Sequence, residues 1–327
     1  MNLNRGLESE MRSLVLGTIL MGWASSVGGQ AAPGEAPTWA DGPRSGVLVM
    51  AHGGTPEWNA SVGEAVAPLR AERPTAVAFG MADPMTMQAA LDSLADAGVE
   101  RVAVVRMFMS GESFRHQTEY LLGLRDDPPA NPMLMHGQSH AQDPTQGHGQ
   151  TMADHHASES AGFHPLRHDL EIVMSDLGLM DSWVSPAIMK ARAEGLAEVP
   201  AQESVILVAH GMGDHDANQR VLDEMARVVE AVESLGFRTV RAFTLREDWE
   251  DARAESEAEI RSTVEAWRDR GDRVLALPFR LSGFGPYAEV LSGMTYEAGD
   301  GLLPHPFITE GIRETAALLL NQPATAG

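Results

Sequence analysis

The feature that most restricts how this chain can fold is that it says the same thing twice. An apolar run, Gly46-Val-Leu-Val-Met-Ala51, ends in His52-Gly53-Gly54, and the phrase returns as Ser204-Val-Ile-Leu-Val-Ala209 followed by His210-Gly211-Met212-Gly213. Each copy runs on through a polar turn and an asparagine (Asn59, Asn218) into a stretch with apolar residues every three to four positions, the helical period. A second pair of phrases aligns without gaps: Arg101-Val-Ala-Val-Val-Arg-Met-Phe-Met-Ser-Gly111 on Arg273-Val-Leu-Ala-Leu-Pro-Phe-Arg-Leu-Ser-Gly283. Each is preceded by an amphipathic helix, Met87 to Ala97 and Ala258 to Arg270, capped by Gly98 and Gly271. Between the two phrases of each half lies another strand, Thr75 to Phe79 and Thr239 to Phe243. Strands and helices alternating at these lengths predict parallel βαβ units covered on both faces, and so an α/β fold made by tandem duplication of one domain.

A looser echo pairs Leu177-Gly178-Leu179 with Asp300-Gly301-Leu302, and the spacing around it shows that the first half carries roughly fifty extra residues after Gly111. The domain limits read from the repeat are 46–200 and 201–322, preceded by a linker over 32–45. The extra residues form an insert over about 126–168, rich in Gly, Gln, Ser and Asp. It holds His136, His140, His148, His155, His156, His164 and His168, more than half of the chain's 12 histidines. Such a composition cannot bury a core and reads as a mobile loop. It can capture a divalent metal through several imidazoles, or serve as a solvated linker.

Residues 1–31 read as an export signal. Arg12 precedes an apolar run from Ser13 to Val27, and small residues reach Ala31. The run is about 15 residues, short of the roughly 20 needed to span a bilayer, so the expectation is a periplasmic or otherwise exported chain with no lasting membrane anchor. The chain has no cysteine, which removes disulfides, thiolate metal sites and a cysteine nucleophile, and leaves histidine and carboxylate as metal ligands. Its 24 Lys and Arg stand against 46 Asp and Glu, a formal charge of -22, which argues against nucleic acid as a partner.

In parallel sheets, ligands gather beyond the carboxyl ends of the strands, where His52 and His210 both fall. A neutral imidazole there suits a transition metal or a proton-accepting role near neutral pH. Neither histidine phrase has the spacing of a phosphate-binding loop, and Gly111-Glu-Ser113-Phe-Arg115 lacks the closing glycine of a serine nucleophile turn.

Taken together, these phrases resemble the class II chelatases of the sirohydrochlorin cobaltochelatase and ferrochelatase type. The likeness rests on Ala51-His52-Gly53 and its repeat Ala209-His210-Gly211, on Ala78-Phe79-Gly80-Met81-Ala82-Asp83-Pro84, and on Leu245-Arg246-Glu247-Asp248-Trp249. Further support comes from Ser282-Gly283-Phe284-Gly285-Pro286-Tyr287, from Gly301-Leu302-Leu303-Pro304-His305-Pro306 and from the insert; the likeness covers the chain from about Gly46 to Leu319. The resemblance implies two chelatase-like (flavodoxin-like) domains, parallel sheets flanked by helices, and insertion of Co(II), or else Fe(II) or Ni(II), as substrate into a tetrapyrrole lodged in the cleft between them, with no tightly bound cofactor; a metal or tetrapyrrole carrier on the same fold is the alternative. It places His52, and His210 as its repeat, at the metal. Where members place a second histidine, this chain has Ser113 and Gly285. His116 is the candidate replacement, with Glu112 or Glu289 as its carboxylate, and Arg106, Arg115 and Arg280 are the candidates to meet substrate carboxylates.

Overall fold

In a computed structural model of the chain, residues 44–130, 132 and 163–323 are described, all within the unit Ala32–Gly327. The first sheet is built from β1 (Ser45–Ala51), β2 (Thr75–Phe79), β3 (Arg101–Met107) and β4 (Glu171–Met174), in the order β2-β1-β3-β4 and parallel throughout. The second repeats it with β5 (Glu203–Ala209), β6 (Thr239–Thr244), β7 (Arg273–Pro278) and β8 (Glu297–Ala298), ordered β6-β5-β7-β8 and again parallel. The central strands are continuous apolar runs because both faces are covered. Along β1, Val47, Val49 and Ala51 face one core while Leu48 and Met50 face another.

The looser echo is also a repeat in three dimensions. The amides of Leu179 and Met180 bond the carbonyls of Phe108 and Met109, and those of Leu302 and Leu303 bond Arg280 and Leu281. Gly178 is needed there, since a Cβ would lie 2.5 Å from the Gly111 nitrogen.

The outer face of the first sheet is covered by α2 (Pro84–Asp96) and α3 (Arg115–Leu121), and that of the second by α6 (Glu250–Asp269) and the short α7 (Tyr287–Val290). Between the sheets lie α1 (Pro56–Glu72), α4 (Val184–Leu196), α5 (His215–Glu233) and α8 (Pro306–Leu320). They share one core with Val47, Val49 and Val105 of the first sheet and Val205, Leu207 and Leu275 of the second. Two of these helices are exchanged. α4 follows the first sheet in sequence but packs on α5 and β7; α8 ends the chain but packs on α1, β1, β3 and β4. Thr309 on α8 donates to the Ala65 carbonyl, Arg313 forks onto Glu72, and the Arg101 guanidinium reaches the Leu320 carbonyl. The sequence repeat and the packing unit are therefore different objects. At Gly311 a Cβ would come within 2.3 Å of Val184, so the close approach of α8 to α4 requires glycine.

The insert, expected to be mobile through 168, is anchored from Phe163 onward. Phe163 is buried and stacks on Tyr120 at 5.4 Å, the Leu166 amide bonds the Leu121 carbonyl, and Gln88 bonds Arg167 through both main-chain groups. With the Tyr120 hydroxyl donating to the Phe163 carbonyl at 3.3 Å, an aromatic pair and four hydrogen bonds hold this end despite the polar composition around it. The rest of the histidine-rich stretch, with His136, His140, His148, His155 and His156, and the expected export signal lie outside the described residues.

Candidate functional site

The carboxyl ends of the central strands are level with their neighbours: Ala51 pairs with Phe79 and Met107, and Ala209 with Thr244. His52 and His210 emerge at these ends, as the sequence predicts. In both halves the next residue is a glycine with positive φ, +79° at Gly53 and +83° at Gly211. The asparagine noted in each repeat has the same task, its side-chain oxygen accepting from the Gly54 amide (3.0 Å) or the Met212 amide (2.9 Å). The second turn is the tighter one, since a Cβ on Gly211 would lie 2.7 Å from Thr244 and 2.8 Å from Asn218.

His210 is gripped on both ring nitrogens. Glu247 Oε2 lies 3.2 Å from Nδ1 and Asp248 Oδ2 3.1 Å from Nε2. The carboxylates are delivered by the loop after β6. Arg246 there takes a left-handed φ of +56°, and its amide bonds the His210 carbonyl at 2.6 Å. Its guanidinium, buried at 6% exposure, donates to the carbonyls of Met212 and Gly213 and so ties the two loops together. Trp249 lies over Gly213, where a Cβ would sit 2.1 Å from the indole nitrogen, and presents to the His210 ring at 6.0 Å. The hydrogen bond with Glu247, followed by the charges of Glu247 and Asp248, outweighs burial and raises the His210 pKa above that of a free imidazole. Burial pushes the Glu247 carboxyl up, but His210 and then Arg280 more than offset it, so it stays ionised below the usual carboxylate range. The result is an imidazole between two carboxylates that favour its protonated form, a place where a cation can take over the role of that proton.

Behind Glu247 stand two further groups. Arg280 Nη1 is 3.8 Å from Glu247 Oε1, and its guanidinium lies against Gly285, where a Cβ would be 1.7 Å from Nη1. Tyr287, 1% exposed, has its hydroxyl raised in pKa by burial first and by the charge of Glu247 second. Glu247, Asp248, Trp249 and Tyr287 were present in the sequence motifs but had no assigned role. The available clue was that Leu245-Arg246-Glu247-Asp248-Trp249 directly follows a strand end.

His52 is held differently. Its Nδ1 donates to the Gly53 carbonyl at 2.9 Å, which leaves Nε2 outside that bond. Among the described residues no set of three or more His, Asp or Glu forms a ready metal cage. His116 faces away from both: its Nε2 bonds the Asp127 carbonyl (2.9 Å) and carboxylate (3.2 Å). Asp127 helps line an open hollow of about 540 Å³ with Glu119, Leu124, Arg125, Asp126, Met174 and Asp176. Most of its charged groups are already paired, Arg125 with Glu119 and Asp127, and Asp176 with Arg115.

The remaining candidates are dispersed. Glu289 is exposed on α7 and acts electrostatically on Arg253. Arg106, expected to meet substrate, is 2% exposed and gives its guanidinium to the carbonyls of Ser175, Ser113, Gly111 and Asp176, binding the loops after β3 and β4. Ser113 contributes that carbonyl, and its amide donates to the Ser110 carbonyl. Arg115 pairs with Glu112, Glu119 and Asp176. His164 is exposed, and His168 is partly buried near the anchored end of the insert.

No protein-family model and no curated protein matches the chain. Solved structures do. SirB from Bacillus subtilis with Fe3+ superposes with a TM-score of 0.56 at 12% identity, over 84% of this chain and 96% of that one. The sirohydrochlorin chelatase SirB from Bacillus subtilis subspecies spizizenii in complex with cobalt gives 0.52 at 8% identity, over 84% and 95%. The chain has the class II chelatase fold. Within that fold, the better-furnished strand end is the one in the second half, where the imidazole has two carboxylates beside it.

Proposed function

We propose that this chain is a chelatase that inserts a divalent metal, Co(II) foremost and Fe(II) or Ni(II) next, into a sirohydrochlorin-type tetrapyrrole, outside the cytoplasm. The observation that carries the reading is His210 between Glu247 and Asp248 at the carboxyl end of β5, on a chelatase fold. Metallation requires the metal to shed ligands and the macrocycle to lose two pyrrole protons. His210 holds the cation through Nε2 once its proton has left, and the ionised carboxylates accept protons. His52 supplies its Nε2 on the first half, and Arg280, partly exposed, meets a substrate carboxylate. Export is supported by Arg12 and the apolar run that follows it.

A second reading, a metal or tetrapyrrole carrier, is favoured by Ser113 and Gly285 standing where related chelatases place a histidine. Anaerobic mixing with sirohydrochlorin and Co(II), followed by absorbance, separates the two. Metallation faster than the uncatalysed reaction, and lost in His210→Ala, supports the chelatase. Binding of either component with the background rate supports the carrier.

A further inference from the structure

Among the charged groups at the end of β5, the second half exposes two apolar side chains, Trp249 at 36% and Met212 at 42%. Apolar area left in water forgoes the stabilisation of burial, yet this indole is fixed in place. The Trp249 amide donates to the Arg246 carbonyl at 3.1 Å, and its carbonyl accepts from the Arg253 amide at 2.7 Å. A Cβ built on Gly213 would lie 2.1 Å from the indole Nε1 and 2.4 Å from both Cδ1 and Cε2. Near-equal distances to three consecutive ring atoms put Gly213 against the face of the indole, not its rim. One face therefore rests on the turn that carries His210, and the exposed area belongs to the other face and the edge. Met212 stands in the same turn with its main chain engaged, the amide by Asn218 and the carbonyl by Arg246, and offers only an adaptable side chain. In the first half Gly54 takes the place of Met212 and Met85 that of Trp249, while the nearby Trp58 packs against the core and Phe79.

The orientation of the indole bears on what can cover it. The Trp249 and His210 rings have centres 6.0 Å apart and planes at 66°. Glu247, on Nδ1, is largely buried and Asp248, on Nε2, largely exposed, so Nε2 is the outward nitrogen. An imidazole binds a metal through a lone pair in its own plane, so a flat ring carrying that metal at its centre must stand steeply to the imidazole. A flat ring laid parallel to the Trp249 indole does so, and stacking on an aromatic face is how a fixed indole gains most from a planar partner.

We propose that Trp249, with Met212 from the adjoining turn, is the platform on which the flat conjugated face of the tetrapyrrole stacks while His210 addresses the metal at its centre. The inference rests on the proposed function and adds to it the residue that holds the ring rather than the metal.

The test titrates the full chain with metal-free sirohydrochlorin under anaerobic conditions, reading the absorbance and induced circular dichroism of the ring, in wild type, Trp249→Ala, Trp249→Tyr and Gly213→Ala. Trp249→Ala should weaken binding about tenfold or more, the scale of a lost aromatic stack. In the metallation assay the same variant should raise KM for the tetrapyrrole and leave kcat unchanged. Trp249→Tyr keeps an aromatic face and most of the affinity, and Gly213→Ala, which displaces the indole without removing it, loses affinity as Trp249→Ala does. His210, followed by NMR, should titrate in Trp249→Ala as it does in wild type. Should Trp249→Ala not fold, Trp249→Leu, apolar but without a flat face, is read in the same way. Unchanged affinity in Trp249→Ala overturns the platform and leaves the proposed function standing. A loss of affinity together with a His210 that titrates as a free imidazole also overturns it, since the indole would then serve to hold the Glu247 loop. A wild type that binds the ring without metallating it counts against the chelatase and leaves the platform to a carrier; one that binds no ring overturns both.

Discussion

The loops after β2 and β6 bend the same way, with left-handed residues at matching places, Ala82 at +58° and Arg246 at +56°. The carboxylate that follows has gone to different work. Asp83 caps α2, accepting from the amides of Met85 and Thr86, while Glu247 and Asp248 reach His210. The difference lies in where the next helix starts. Pro84 sets the first turn of α2 directly after Asp83, so that side chain is claimed by the helix end. α6 begins only at Glu250, which leaves Glu247 and Asp248 in an open loop beside the histidine. The matching backbone keeps the position, and a helix that starts four residues after the left-handed residue rather than two is enough to change what that position does.

The largest expected effect breaks the equivalence of repeat and packing unit. Truncation before Pro306 removes a helix that belongs to the second repeat in sequence but covers the first sheet through Ile308, Ile312 and Ala316, so cooperative thermal unfolding should be lost. A first sheet that still melts cooperatively without α8 would show that the exchange is dispensable. Next comes the functional asymmetry: His210→Ala should slow metallation by about 100-fold or more, the scale of a lost acid or base, and His52→Ala by less. The reverse order would move the working site to the first half.

Smaller effects sharpen the comparison. Gly211→Ala should cost about 1–3 kcal/mol in chemical denaturation, because it combines positive φ with the Thr244 and Asn218 collisions. Gly53→Ala should cost less, its nearest neighbour being 3.3 Å from an added Cβ. The smallest effect is in pH dependence. A raised His210 pKa contributes stability that is complete below the unfolded imidazole value of 6.5 and is lost as pH rises through the folded value. A depressed Glu247 pKa contributes stability present above the ordinary carboxylate value and lost as pH falls through the folded one. Glu247→Gln should flatten both slopes in melts taken across pH; unchanged slopes would show that the His210 and Glu247 contact does not persist in solution.

Much of the fold was legible because it is written locally. Continuous apolar runs followed by His-Gly, helical periods capped by glycine, and the echo at Gly178 and Gly301 each predicted an element that is present. The candidate site was legible in part. His52 and His210 stand where the strand ends put them and Arg280 lies behind Glu247, whereas other candidates are engaged elsewhere. Arg106 is consumed by four carbonyls, His116 turns to Asp127, and Glu289 faces Arg253. These outcomes depend on which groups meet through space, and no periodicity records that.

What the residues alone determined is the doubled βαβ plan and the two imidazoles at its strand ends, since hydrophobic period and glycine conformation act over a few neighbouring positions. The tertiary structure decided that α4 and α8 change sides, that Glu247 and Asp248 rather than more distant acids hold His210, and that Tyr287 lies beneath them. The reason is physical: burial and ion pairing are settled between segments far apart in the chain, after the local elements have formed.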